Sequence, residues 1–357
     1  MQDAPSLPRM LAANGYRCLQ TGKFWEGSFP NAGFTDGMSI ASPSGGKYGD
    51  LRLPGGDLVA HGNGDHGLAI GRQTMQPINA FLDEVAPNDA PSTPFFIWYA
   101  PFLPHVPHDS PQRFVELARS RPGVAPHELP YFASIAQFDE TVGLLRAAIE
   151  RRNLANNTLF VFAVDNGWVP DARRYVRQKE EWDHTKNSKR APFDAGLRTP
   201  ILFRLPGSTV AATHQSVVSS IDLVPTILAA TGTPMPERPL PGRNLWQVAT
   251  GQAKADPDRA VFGELYPGDA RELGKPEQDI AYRWVRKGGY KLIVPHAHNG
   301  RPPWGKFLDR PALFDITSDP EESTDLLSEP SDDVTERTKL RRIQHELQSL
   351  LDQWWLP

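Results

Sequence analysis

Cysteine is almost missing from this sequence: Cys18 is the only one in 357 residues. That excludes an internal disulfide and any centre built from several thiolates, and leaves the redox compartment undecided. Long apolar runs are missing too. None approaches the ~20 residues needed to span a bilayer, so the chain reads as soluble, and the residues after Met1 are polar and helix-like rather than a leader. Nor is there an excess of one charge: 38 Lys and Arg against 42 Asp and Glu give a net charge of -4. Interspersed signs at this level leave no electrostatic footprint for nucleic acid. What is abundant is proline, 35 residues, about twice the ~5% of average usage. It falls in blocks between apolar runs, which predicts long ordered loops on a rigid scaffold. The length suffices for one large α/β domain with an accessory part.

Residues 158–166 read Thr-Leu-Phe-Val-Phe-Ala-Val-Asp-Asn, with Gly167 next. A short apolar, β-branched and aromatic run ending in polar residues predicts a buried strand that delivers Asp165 and Asn166 at its carboxyl end. Two adjacent oxygen donors there suit a hard divalent cation. Asp-Asn-Gly is equally ordinary turn chemistry. From the start of the chain, the pattern predicts a helix over 6–14 stopped by Gly15, and a strand over 16–21 that runs into Gly22-Lys23-Phe24-Trp25-Glu26-Gly27. Lys23 reads either as a fixed cation for an anionic substrate or as a solvated loop lysine. Residues 28–71 read as an irregular excursion, and its His61, Asp65 and His66 as solvated.

A helical pattern returns over 73–85, with Ile78, Phe81, Leu82 and Val85 on one side, and residues 95–100 form a second apolar strand. After it, Pro101-Phe102-Leu103-Pro104-His105-Val106-Pro107-His108 presents two imidazoles on a stiff loop. The spacing differs from a helical zinc pair. An imidazole held there is suited to protonating a leaving oxygen or hydrogen-bonding an anion. The clearest helix is predicted over 130–152, with Ile135, Phe138, Val142, Leu145 and Ile149 as its core stripe. Strand, loop, helix and strand over 94–166 predict a parallel sheet with crossover helices. A further buried strand is expected over 201–205, and a helix after Ser219 or Ser220 with Pro225 in its first turn.

Five patterns now stand in order: Gly-Lys-aromatic at 22–24, Pro-His-x-Pro-His at 104–108, Asp-Asn-Gly at 165–167, Lys189 to Pro200 as Lys-x-x-x-x-Asp-x-Gly-x-Arg-x-Pro, and Ser-x-x-Asp-x-x-Pro-Thr at 219–226. Together they resemble the sulfatase family of the alkaline-phosphatase superfamily, over nearly the whole chain from about residue 7. The resemblance implies a largely parallel α/β sheet flanked by helices, with a small C-terminal antiparallel sheet and helix. It implies a hydrolase of sulfuric esters that uses Ca2+, in preference to Mg2+, and a formylglycine nucleophile. Carried over by motif, Asp165 and Asn166 hold the metal, Lys23 and Lys189 grip the sulfate oxygens, and His105 assists the leaving group. Trp25 and His108 would line the substrate pocket. A periplasmic or extracellular location follows from the family alone, and the partner expected is a small-molecule or glycan sulfate ester.

The chain departs from the pattern in three places. The opening strand with its Asp-Asp pair and the Cys/Ser-x-Pro-x-Arg nucleophile motif are not found. Ser6-Leu7-Pro8-Arg9 has its arginine one position too close, and Cys18 has no proline two residues on. Trp25 stands where the family has a histidine, and Ala195 where it has a glycine, with Asp194 in place of a glutamate. The expectation is an N-terminally incomplete member, inactive as written. Domains are expected at 1–255, catalytic, and 256–357, a C-terminal α+β subdomain with a hairpin turning at Gly288-Gly289 and a final helix striped by Leu340, Ile343, Leu347, Leu350 and Trp354. The rival functions are phosphoester or phosphonate hydrolysis, and non-catalytic binding of a sulfated ligand.

Overall fold

The structure, a computed structural model, describes residues 4–24, 28–39, 51–52, 58–59, 69–87, 92–105, 108–167, 175–176, 181–182, 188–266, 271–272, 274–296, 307–328 and 332–355. Trp25, His61, Asp65 and His66 lie outside them. The chain divides into two compact units, Met1–Phe160 with Arg204–Thr209 and Leu223–Trp246, and Val161–Phe203 with Val210–Asp222 and Gln247–Pro357.

The first unit is built on a parallel sheet in which Arg17–Gly22 lies between Asp36–Gly37 and Phe95–Ala100. Arg17 pairs with Phe95 and Gly22 with Ala100, so the two long strands end together. Alternation along the strands sends Leu19, Ile97 and Tyr99 to one face, where they meet Ile78, Phe81, Leu82 and Val85 of the helix Gln76–Val85. Cys18 and Phe96 go to the other, against Leu11 of the helix Leu7–Ala12 and Leu228 of Leu223–Thr231. Each fully buried aliphatic here is worth about 1.5–3 kcal/mol. Apolar cover on both faces is what a parallel sheet needs. The excursion predicted over 28–71 is thus partly regular: a 3-10 turn at Phe29–Ala32 leads into the Asp36–Gly37 strand.

The long helix runs Leu129–Glu150, but the face it buries is not the predicted stripe. Ala133, Ser134, Gln137, Thr141 and Ala148 are buried with Ile149, while Ile135, Phe138, Val142 and Leu145 are only half-buried. Small residues let this helix approach its neighbours closely. Of the polar ones, Thr141 donates to the Phe138 carbonyl at 2.8 Å and Gln137 Nε2 to that of Arg72 at 3.3 Å. Ala133 packs on Phe114 and Ala118 of a helix, Gln112–Arg119, that the sequence reading did not anticipate.

Phe160–Ala163 pairs with Ile201–Arg204 as a two-stranded ladder. The strand expected to be buried is half-buried at Phe160, Val161 and Phe162 and exposed from Ala163 to Asp165. Its described backbone has a partner on one side only. The C-terminal sheet runs Ala260–Leu265, Tyr282–Lys287, Tyr290–Pro295 and Ala312–Asp315, antiparallel throughout. Its hairpin turns at Gly288 and Gly289 as predicted, Lys287 pairing with Tyr290. One face carries Val285, Leu292 and Leu313 against Leu340, Leu347 and Leu351 of the helix Val334–Trp354. Leu351 takes the buried place predicted for Leu350, and Trp354 stacks on Phe262 with ring centroids 5.0 Å apart. The other face carries Tyr282, Ile293 and Phe314 against Ala191 and Phe193.

Candidate active site

In the first unit, the strand end that carries Lys23 is fixed by backbone. Gly22 has φ +77°, and a Cβ there would stand 1.9 Å from the Ala100 carbonyl oxygen, so only glycine fits. The next amide, Lys23 N, donates to that same oxygen at 2.7 Å. The Lys23 ammonium lies 5.6 Å from the centroid of the Phe102 ring, within cation–π range. His105 packs on the same ring, centroids 4.8 Å apart, and its amide donates to the Phe102 carbonyl at 2.8 Å. Lys23 and His105, distant in sequence, are therefore both held on one buried phenylalanine, with the imidazole exposed.

Arg72 secures the rest of that loop. Its guanidinium pairs with Asp109 and donates to the His105 carbonyl at 3.2 Å. His108 is half-buried, its ring 5.5 Å from that of Tyr131. Burial holds its pKa below the ordinary histidine value, against a hydrogen bond to Pro104, so it is neutral at pH 7. Trp25, predicted to line the same pocket, lies outside the described residues.

In the second unit the Asp-Asn-Gly segment is a bend in which each side chain bonds the following residue: the Asn166 amide donates to Asp165 Oδ1 at 2.9 Å, and Asn166 Nδ2 to the Gly167 carbonyl at 3.0 Å. That second bond uses the amide's donor and leaves its oxygen as an acceptor. Gly167 is pressed on the one-turn helix Asp194–Leu197. Its N–H donates to the Gly196 carbonyl at 2.9 Å, and a Cβ on it would stand 2.3 Å from the Ala195 carbonyl oxygen. Gly196 is equally tight against Ser188, at 2.3 Å from its carbonyl oxygen by the same measure. Lys189 follows Ser188. The turn bearing Asp165 and Asn166 and the loop bearing Lys189 are therefore packed together through Gly196.

Behind them lies a cluster that sequence reasoning missed. Asp194 is buried, taking Lys291 Nζ on Oδ1 and Arg286 Nη1 on Oδ2, both at 2.8 Å. Lys291 also pairs with Glu322 at 2.9 Å, and Glu322 accepts the Asp194 amide. Burial pushes the Glu322 carboxyl above its usual range, with Lys291 pulling the other way. The available signal was register: Lys291 falls on the inward side of a strand otherwise apolar at its centre.

Two oxygen donors of different residues suit a hard cation such as Ca2+ in kind. In number they fall short of its 6–8 ligands, and among the described residues no group of three or more His, Cys, Asp or Glu is placed to hold a metal. The nucleophile is a different matter. Cys18 is fully buried, its thiol is pushed up to about 12 by burial, and its Sγ faces the Pro8 carbonyl at 3.4 Å. The Ser6 hydroxyl is bonded to the Ala32 carbonyl and Arg9 to the carbonyls of Ala4 and Asn31. Neither fits a formylglycine.

One unit carries Lys23 and His105 on a common phenylalanine ring at the ends of parallel strands, and the other carries the Asp165–Asn166 turn and the Lys189 loop; each is part of an α/β protein. The sulfatase family model matches residues 1–233, and that for the N-sulphoglucosamine sulphohydrolase C-terminal region matches residues 182–352. The chain belongs to the sulfatase family. It is similar to human (Homo sapiens) arylsulfatase A, 29% identical over 256 residues, which are 69% of this chain and 46% of that protein. Its fold resembles that of a protein solved with its substrate D-glucosamine-2-N,6-O-disulfate, at TM-score 0.66 and 17% identity over 99% of this chain and 82% of the other. It also resembles the phosphonate monoester hydrolase of Silicibacter pomeroyi, at TM-score 0.57 and 17% identity over 98% and 81%. The chain spans about half the length of the curated relatives it matches. Among the described residues no helix is long and apolar enough to cross a membrane.

Proposed function

We propose that the protein hydrolyses sulfate monoesters, with a sulfated sugar or aryl sulfate as substrate. Family membership supports this reading, and the observation that carries it is that Lys23 and His105 both lie against the Phe102 ring. A sulfuryl group leaving its ester develops charge on its oxygens and on the departing alkoxide. Lys23 and Lys189 supply the ammoniums for the first, and His105 the proton for the second. Asp165 and Asn166 would hold Ca2+, whose chemistry when bound is charge neutralisation at the sulfate oxygens. His108, neutral and packed on Tyr131, and Trp25 line the sugar or aryl side. Among the described residues neither Cys18 nor Ser6 fits a formylglycine. In domain terms, residues 1–255 carry these groups, and 256–357 form the C-terminal subdomain.

The test separates binding from turnover. Calorimetry with D-glucosamine 6-sulfate is expected to show binding that Ca2+ strengthens and that Lys189→Ala or Lys23→Ala abolishes. Relative release from 4-nitrophenyl sulfate, phosphate and phenylphosphonate decides the reaction. Preference for the sulfate supports the reading; preference for phosphate or phosphonate overturns it in favour of the reaction named by the weaker fold likeness. Binding with no release from any ester leaves a sulfated-ligand-binding protein.

A further inference from the structure

We infer that Asp194, held by Lys291, Arg286 and Glu322, is a positioning residue that fixes the Asp165–Asn166 turn and the Lys189 loop; this rests on the proposed roles of those three residues. The argument begins in the C-terminal sheet, where Arg286 and Lys291 are directly opposed across the hairpin. Two like charges in that register repel. They are reconciled here because one carboxylate, Asp194, takes one cation on each oxygen, while Glu322 takes the remaining side of Lys291 and the Asp194 amide. An apolar contact would hold the loop as strongly, since buried ion pairs are often neutral against well-packed hydrophobic replacements. What the ion set adds is direction: it sets how the Asp194–Leu197 turn is rotated. That rotation decides where the Gly196 carbonyl points, and the Gly196 carbonyl holds the Gly167 amide at 2.9 Å. The same turn is closed on Ser188, next to Lys189, by the lack of a side chain at Gly196. Nothing in this cluster touches a substrate; it acts through what it orients.

The experiment uses the whole chain with Ca2+ alone as probe, titrated calorimetrically, and hydrogen exchange read by mass spectrometry on the peptides covering 161–167, 188–198 and 290–295. Asp194→Asn is expected to weaken Ca2+ binding about 10-fold or more, as loss of an outer-shell partner does. It should also speed exchange in 161–167 and 188–198 while sparing 290–295. Asp194→Glu, which restores the charge, should recover most of the affinity. Glu322→Gln, which keeps the acceptor for the Asp194 amide, gives a folded second variant in which a smaller weakening is expected. Unchanged affinity in these variants, or faster exchange in all three peptides together, overturns the inference and leaves the cluster a stability element. A wild-type chain that takes up no Ca2+, or one whose uptake survives Asp165→Ala, overturns the proposed function itself and this inference with it.

Discussion

The two units hold their candidate groups by opposite means. In the first, Lys23 and His105 lie on the ring of Phe102, the imidazole is exposed, and Arg72 ties the loop down from one side. In the second, the Asp165–Asn166 bend and the Lys189 loop are packed carbonyl against glycine, with a set of two buried carboxylates and two cations behind. Aromatic support tolerates small displacements, because cation–π and ring contacts vary gently with distance. Close backbone contact and buried charge do not. The groups proposed to meet the leaving oxygen thus rest on the forgiving support, and those proposed to hold a metal on the rigid one.

That contrast breaks most visibly at Lys291. Lys291→Met removes the ammonium from between two buried carboxylates and should cost about 3–5 kcal/mol in urea denaturation; a cost below 1 kcal/mol would show that the second unit is not charge-locked. Gly167→Ala forces a Cβ towards the Ala195 carbonyl and should cost roughly 1–3 kcal/mol, read by the same assay. Arg72→Ala, which takes two charge-assisted contacts from the 105–109 loop, should cost about 1.5 kcal/mol and raise hydrogen exchange in that loop alone. His108 sharpens the comparison through pH. Its folded pKa is depressed, so its contribution to stability is present above pH 6.5 and is lost as pH falls through the folded value. The melting-temperature gap between wild type and His108→Asn should be flat above pH 6.5 and shrink below it. Smallest, and opposite in sign, is Gly143→Ala within the Leu129–Glu150 helix, where a Cβ meets nothing within 4 Å; a gain of about 0.5–1 kcal/mol is expected.

Periodicity made the elements legible where one face dominates. Ile78, Phe81, Leu82 and Val85 are all buried, and the 288–289 hairpin turns where glycine demanded. It misled on the Leu129–Glu150 helix, because the most buried face there is made of Ala, Ser, Gln and Thr, which carry no hydrophobic signal. The largely parallel sheet and the antiparallel C-terminal sheet follow from the order of strands and helices, while the pairing of Phe160–Ala163 with Ile201–Arg204 does not: apolar runs announce strands but not their partners. Residue order made Lys23, His105 and Asp165 candidates through their places after strands. Phe102, Arg72 and Asp194 escaped, since their importance lies in contacts between segments far apart in the sequence, 37 residues apart for Arg72 and Asp109 and 97 for Asp194 and Lys291.

Gly22 leaves position 23 open to re-engineering. Because the strand end is set by one missing side chain and one amide-to-carbonyl bond, any residue at 23 that keeps that amide, which is every one but proline, preserves the path of the chain. A saturation library at that codon would therefore vary chemistry on a constant frame, and expression yields across it would be nearly uniform while ligand preferences diverged.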